Sequence, residues 1–463
     1  MREVRPQVTL AGRLQRIVKA YDIRGVVDTE LDTDVAHALG WAAAIVLDTR
    51  QGMVVGRDMR PSSPELCAAF VDGVRRAGVD VVDVGLAATD QLYHASGILD
   101  LPGAMFTASH NPAEYNGIKL CGRGAAPVSA DTGLTRIRDL AVEAPRGGPI
   151  TGGLRHEDVL ERYAAHVRSF VDATVFEGLD VAVDAGNGMA GHTWPAVAEP
   201  LGIRTDPLYF ELDGTFPNHP ANPLDDANLR DLRARVVECE HPVGLAFDGD
   251  ADRVFVVDEH GRPVSASLVG AVVAGRMLRD DPGATVLVNL ICSRTVTEAI
   301  EAAGGVAVRT RVGHSFIKQR MAETGALLAI EHSGHYYFRD NHRADSGAIA
   351  ALLLLEVLVR TGGTLSELVA PFDRYVATGE RNHVVEDPSP VLDAVGAAFA
   401  DRGTVDHDDG LTVDLGTAWF NLRPSNTEAL LRLNVEASDA PGLAALTDEV
   451  TAMIESSGTD GND

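Results

Sequence analysis

The chain has 463 residues, 45% of them apolar and only 5% aromatic, with a formal charge of −27. That length exceeds what one hydrophobic core organises and calls for three or four domains, and the Gly- and Ala-rich composition suits an α/β protein. The acidity excludes nucleic acid and anionic membranes as partners, since basic contacts with phosphate hold those, but an anionic small substrate stays open if local Arg and Lys reverse the field in a cleft.

In chain order, one phrase recurs three times: a β-branched strand, a Gly/Asp/Ser loop, an amphipathic helix and a second strand. The first copy runs from Gly52–Gly56 through Arg57-Asp-Met-Arg-Pro-Ser-Ser63 and a helix ending at Val74 to Val79–Val84. The second joins Leu179–Val183, Asp184-Ala-Gly-Asn-Gly188, a helix near Thr193–Leu201 and a strand near Arg204–Phe210. The third joins Thr285–Leu290, Ile291-Cys-Ser-Arg294, a helix through Ala303 and Val306–Arg309. Such units imply parallel strands with right-handed helical crossovers, hence three similar α/β domains. Beyond Thr361-Gly-Gly363 the pattern becomes strand (Arg381–Val385), helix (Val391–Phe399), short strands and a last helix (Gly442–Ile454). This reads as a small α+β domain with a polar tail from Ser456. We place the domains at 1–150, 151–257, 258–369 and 370–463.

The four cysteines, Cys67, Cys121, Cys239 and Cys292, include no C-x-x-C and read as small buried apolar residues, without zinc or a disulfide framework. The N-terminus has no apolar signal core. The longest apolar run, Ile349–Val359, is broken by Glu356 and falls short of the about 20 residues that span a bilayer. A cytoplasmic protein is expected.

Two loops carry the most chemistry, each following an apolar strand. Thr107-Ala-Ser-His-Asn-Pro112 comes after Gly103–Phe106 and sets Ser109, a hydroxyl able to carry a phosphoryl group, beside His110, which could polarise it. Taken alone it also fits a helix N-cap followed by a turn, and it is no G-x-S-x-G elbow. Asp248-Gly-Asp-Ala-Asp-Arg253 comes after Val243–Phe247. In a near-extended segment Asp248, Asp250 and Asp252 project to one side, where they repel one another unless a cation intervenes. An EF-hand begins in the same way and finds Glu259 at its twelfth position, yet Arg253 stands where that loop needs glycine and strands flank it. A haloacid-dehalogenase-type phosphatase also begins D-x-D but wants Thr or Val at Asp252. Metal binding is the reading these residues carry.

Two further loops add polar groups. Arg423-Pro-Ser-Asn-Thr427, between strand-like Thr417–Leu422 and Ala429–Val435, is either a phosphate clamp or a polar hairpin turn. Glu331-His-Ser-Gly-His335 follows Ala326–Ile330 and suits vicinal sugar hydroxyls; its spacing is not the H-E-x-x-H of a zinc site. His314 opens another helix after Arg311-Val-Gly313.

In order along the chain, Lys19-Ala-Tyr-Asp-Ile-Arg-Gly25, Thr107–Pro112 with Tyr115-Asn-Gly-Ile-Lys119, Asp248–Arg253, Glu331–His335 and Arg423–Thr427 resemble the landmarks of the α-D-phosphohexomutases, the family of the phosphomannomutase/phosphoglucomutases. The resemblance covers nearly the whole chain. It implies three similar α/β domains with mixed sheets and a C-terminal α+β domain around a central cleft. It implies that Ser109 carries phosphate in the resting enzyme and that Asp248, Asp250 and Asp252, with an oxygen of that phosphoserine, bind Mg²⁺, in the loop that Arg253 closes. Glu331 and Ser333 would hold the sugar's 3- and 4-hydroxyls, and Arg423, Ser425, Asn426 and Thr427 the substrate's own phosphate. Arg24, Lys119, His314 and His335 would serve near the transferring group.

The implied activity is reversible exchange of hexose 1- and 6-phosphates, with a hexose 1,6-bisphosphate as intermediate and activator, in a monomer or weak homo-oligomer. Glucose and mannose are alike at carbons 3 and 4, whereas galactose would leave a buried polar partner unsatisfied. A phosphoglucosamine mutase and a metal-dependent sugar phosphatase are the alternatives; His332 stands where glucosamine enzymes carry glutamine. Three places depart from the family pattern. Ile291 occupies the position of a lysine in well-known bacterial members, Ala87-Ala-Thr-Asp90 lacks the usual prolines, and Ile330 replaces a common glycine.

Overall fold

The computed structural model of the chain describes residues 9–145, 147–424 and 430–457. Its strands form four sheets. In each of the first three, the strand–helix–strand unit expected from the sequence is parallel: Met53–Arg57 with Val81–Leu86, Asp180–Asp184 with Arg204–Leu208, and Thr285–Asn289 with Val306–Thr310. On the other side of each unit's first strand lies another parallel strand: Gly103–Phe106, Val243–Phe247 or Leu328–Ile330. Each of these turns back antiparallel, into Tyr115–Cys121, Val254–Asp258 or Tyr336–Phe338. The sheets are mixed for that reason. The three connections, carrying Ser109, the aspartate trio and Glu331, hold equivalent positions in the three sheets.

Burial explains the strand type. All five residues of Val243–Phe247 and all four of Gly103–Phe106 are buried, the continuous apolar run of a strand covered on both faces. The helix Gly347–Thr361 contains the long apolar run, and its Glu356 is fully buried yet satisfied, accepting from Arg276 Nε at 2.7 Å and Arg360 Nε at 3.1 Å. Among the described residues, no helix is long and apolar enough to cross a membrane.

The fourth sheet is antiparallel, with Thr404–Asp406, Leu411–Asp414, Ala418–Pro424 and Leu430–Ala437 in order and Val376–Ala377 and Arg381–Val384 both against the last. Helices Pro388–Phe399 and Ala440–Ser457 cover it, with Val395, Phe399 and Val450 packed on Phe420 and Leu433. This is the expected α+β texture. The second and third sheets share one continuous core, whereas the first and fourth have their own. Leu154–His156 pairs with the first sheet and Pro263–Val264 with the second. One cysteine departs from expectation: Cys67, Cys121 and Cys292 are buried, but Cys239, just past the helix Arg230–Glu238, is exposed.

Candidate active site

The serine loop begins where the buried strand Gly103–Phe106 ends. No helix starts there, so Ser109 is not an N-cap; it lies in the left-handed region with φ 50°, a strained place for a residue with a Cβ. Two contacts hold it. Its N–H donates to Thr107 Oγ1 at 2.9 Å. The buried Arg60 guanidinium donates to the carbonyls of Ser109 (2.9 Å), Asn111 (2.7 Å), Pro112 (2.7 Å) and Tyr115 (2.9 Å), with Asp58 as counter-ion at 3.3 Å. Arg60 was legible only as part of a turn in the first repeated unit.

The aspartate loop meets the serine loop at Gly249, where a Cβ would stand 2.5 Å from the Ser109 carbonyl oxygen. Only glycine fits that approach. Ser109 Oγ donates to Asp248 Oδ2 at 2.8 Å, and Arg253 Nε and Nη2 donate to the same oxygen at 2.9 and 2.7 Å. Arg253 Nη2 also donates to His110 Nδ1 at 2.6 Å, while Ser109 Oγ is 3.2 Å from that nitrogen. Burial and Arg253 keep His110 neutral, so its Nδ1 lone pair is largely committed to the guanidinium. Lys119 Nζ bridges Asp250 Oδ2 (2.7 Å) and Asp252 Oδ2 (2.6 Å).

Ligand atoms of Asp248, Asp250 and Asp252 all lie within 4.8 Å of one another, and the three residues are buried. Asp250 Oδ1 and Asp252 Oδ1 are buried with no hydrogen-bond partner. Buried carboxylate oxygens without donors are costly, and a hard divalent cation is the partner they fit. Burial pushes Asp248 up to about 7; burial opposes ionisation of Asp250 too, but Lys119 prevails and holds it below the usual carboxylate range. The EF-hand geometry is absent. Strands flank the loop, and Glu259 is turned to Ser366, whose N–H donates to its Oε2 at 3.1 Å.

A cleft of about 1210 Å³ brings Ser109 and His110 together with Arg24, Lys119, Asp252, Arg253, His314, Glu331, Ser333 and His335. Asp248 and Asp250 are fully buried and do not line it. Arg24 is held by Asp22 Oδ2 at 2.7 Å and Asn111 Oδ1 at 2.6 Å. Glu331 Oε1 accepts from Tyr337 OH at 2.6 Å and its Oε2 from Asn289 Nδ2 at 3.3 Å, while burial raises its proton affinity. His335 Nδ1 meets Ser333 Oγ at 3.0 Å, and its Nε2 lies 3.7 Å from Asp252 Oδ1 and 3.8 Å from Asp345 Oδ2. Burial keeps His335 neutral and lowers His314, edge-on to Tyr21, to about 3.

On the fourth sheet, Arg423 Nη2 lies 3.8 Å and Arg432 Nη1 3.1 Å from Glu380 carboxylate oxygens. Arg423 and Arg432 are register partners in the hairpin, and Arg432 lines the cleft. Ser425, Asn426 and Thr427 lie outside the described residues. Sequence reasoning missed Arg432, Tyr337 and Asp345; Arg432 had a signal in being a second cation on the strand after Arg423. The departures from pattern are accommodated locally. Ile330 packs on Gly270, where a Cβ would come within 2.6 Å of its Cγ2, and Ile291 is buried.

Three mixed α/β sheets that each send a loop into one cleft, with a serine hydroxyl on an aspartate beside a carboxylate cage, define an enzyme of phosphoryl transfer. Residues 15–144, 161–261 and 266–375 match the phosphoglucomutase/phosphomannomutase alpha/beta/alpha domains I, II and III, and residues 380–453 match the C-terminal domain. The chain belongs to this family. It is 40% identical over 444 residues to the "Phosphohexose mutases" of Xanthomonas campestris pv. campestris (strain B100), covering 94% of this chain and 98% of that one. It is 38% identical to a phosphomannomutase of Salmonella montevideo, covering 95% and 98%. A crystal structure of a phosphoglucomutase/phosphomannomutase family protein from Burkholderia thailandensis superposes with a TM-score of 0.89 at 33% identity, covering 98% and 99% of the two chains.

Proposed function

We propose that the chain interconverts hexose 1-phosphate and hexose 6-phosphate, of mannose, glucose or both, through phosphorylated Ser109 and a hexose 1,6-bisphosphate. The observation that carries this is the Ser109 hydroxyl 2.8 Å from Asp248 Oδ2, beside buried carboxylate oxygens that no donor satisfies. Asp248, Asp250 and Asp252 would hold Mg²⁺, which neutralises charge on the oxygens of the transferring group when bound.

The rest falls to the chain's own residues. Phosphoserine 109 gives its phosphoryl group to the substrate's free hydroxyl: the Oγ–P bond breaks, a sugar O–P bond forms, and the hydroxyl's proton goes to a neutral acceptor. The released Ser109 Oγ takes up a proton across its hydrogen bond with Asp248 Oδ2, a movement the return transfer reverses. His335 is fitted to be that acceptor, because burial keeps its ring neutral, and in the tautomer whose Nδ1–H donates to Ser333 Oγ the Nε2 lone pair is free to take the proton. The 1,6-bisphosphate then turns, and its other phosphoryl group returns to Ser109, whose proton already points at Asp248 Oδ2. Arg24, Lys119 and Arg253 supply fixed positive charge around the transfer. Glu331 and Ser333 receive the sugar hydroxyls, and Arg423 and Arg432 the phosphate that is not being transferred. These cations reverse the acidic field within the cleft. His314, neutral and lining the same cleft, is a second proton carrier. Domain limits of 1–150, 151–257, 258–369 and 370–463 belong to this reading, with Leu154–His156 reaching back to pair with the first sheet and Pro263–Val264 with the second.

Phosphorus NMR of mannose 1-phosphate with Mg²⁺ and a trace of hexose 1,6-bisphosphate tests the proposal. A growing 6-phosphate resonance without inorganic phosphate supports a mutase, and repetition with glucose 1-phosphate ranks the sugars. Release of inorganic phosphate instead would identify a phosphatase and overturn it.

A further inference from the structure

Ala87-Ala-Thr-Asp90, one of the departures from the family pattern, leads into the helix Thr89–Leu99 and is buried throughout. Thr89 touches the aspartate loop twice. Its N–H donates to the Asp250 carbonyl at 3.0 Å, and its Oγ1 donates to Asp250 Oδ2 at 2.6 Å. Lys119 donates to that same oxygen, so both donors converge on Oδ2 and leave Oδ1 as the unpartnered atom. The next residue reaches elsewhere: Asp90 Oδ2 accepts from Tyr163 OH and from Ser346 Oγ, each at 2.6 Å. Thr89 and Asp90 lie within the segment matched to domain I, Tyr163 within that of domain II and Ser346 within that of domain III.

We infer that Thr89 is a positioning residue for the cation cage, and that Asp90 ties this cage to the meeting point of three domains. A carboxylate on an unconstrained side chain rotates and offers either oxygen. Two hydrogen bonds from one buried threonine fix the Asp250 main chain and one of its oxygens, so the other is presented to a divalent cation without reorganisation. Because Asp90 anchors the same turn to Tyr163 and Ser346, the orientation of Asp250 depends on how the first three domains sit together.

The inference rests on Asp248, Asp250 and Asp252 forming a cation cage, and the test separates the two. Mn²⁺ affinity of the full chain without substrate is measured by electron paramagnetic resonance of free Mn²⁺, with near-ultraviolet circular dichroism reporting the fold. Wild type, Thr89→Val, Thr89→Ser and Asp250→Asn are compared. Asp250→Asn is expected to lose binding, Thr89→Val to weaken it about tenfold, as for other groups that orient metal ligands, and Thr89→Ser to recover most of it. Undiminished affinity in Thr89→Val, with binding lost in Asp250→Asn, overturns the positioning role and leaves the cage standing. Equal weakening in the Ser and Val variants assigns the effect to packing and also overturns it. No Mn²⁺ bound by the wild type, or binding indifferent to Asp250→Asn, overturns cage and inference together. Should Thr89→Val not fold, Thr89→Ala, which removes the hydroxyl without adding bulk, is measured in its place.

Discussion

Asp90→Asn is predicted to make the protein more stable relative to wild type as pH rises. Asp90 is buried, and burial pushes its carboxyl up to about 7 from the ordinary 3.8, against the lowering effect of the Ser346 and Tyr163 hydroxyls. Its Oδ1 has no partner. Asparagine keeps an oxygen for both hydroxyls and cannot ionise. Below about pH 4 the wild-type carboxyl is protonated whether folded or unfolded, so pH does not distinguish the two proteins there. Between about 4 and 7 the unfolded chain loses the proton while the folded chain keeps it. Folding then takes up a proton, and wild-type stability falls with pH until the folded carboxyl also ionises. At about 1.4 kcal/mol for each tenfold change in proton affinity, the full difference is about 4 kcal/mol, an upper bound that local relaxation and water entry reduce. The assay is urea unfolding of both proteins in chelator at several pH values from about 4.5 to 8, taking the first transition because several domains need not unfold together. The difference between the two proteins is the readout, since any fixed cost of burying the amide cancels from its pH dependence. A difference that stays flat within about 0.5 kcal/mol across that range refutes the reasoning, because it means the buried carboxyl titrates as it does in the unfolded chain.

Ser109→Ala should lower turnover roughly a thousandfold or more, about 4 kcal/mol of barrier, with stability changed by about 1 kcal/mol or less. Near-normal steady-state rates in that variant would remove the phosphoserine from the mechanism. Asp250→Ala should reduce Mg²⁺-dependent turnover by about a hundredfold or more, and wild-type turnover unaffected by a chelator would contradict the cage. Arg60→Met should cost about 3–5 kcal/mol in urea unfolding, because it strips four carbonyls of their donor and leaves Asp58 buried without its counter-ion. Arg60→Lys should recover only part of this, since one ammonium cannot replace a planar fork; full recovery would show that charge alone matters.

The sequence by itself carried the parts whose cause is local. Apolar strands such as Gly103–Phe106 and Val243–Phe247 end at the residues read from the pattern, because a buried strand must be apolar and the loop beyond it polar. Less local features shifted: the helix expected near Thr193 begins at Ala190 and gives way after Ala198 to a short 3-10 turn. The repeated units predicted parallel strands, yet the functional loops belong to the following strand and its antiparallel return, a pairing that no local period encodes. Ser109, the three aspartates and Glu331 were legible because each is an unusual residue at the end of a strand. Arg60 and Thr89 were not, because a turn arginine and a helix-opening threonine look ordinary until their partners are known.

Tertiary structure alone decided which atoms face which. Thr89 meets Asp250 across 161 residues of chain, and Ser109 meets Asp248 across 139. It turned Glu259 to Ser366 and away from the aspartate trio, set His110 against Arg253, and fitted Ile330 onto Gly270. The reason is physical. Residue type and periodicity govern what a segment can do, but a buried carboxylate's free oxygen is whatever remains after every donor packed around it has been placed. The donors to Asp250, Thr89 and Lys119, belong to the first domain while Asp250 belongs to the second, so they meet only when the chain has folded.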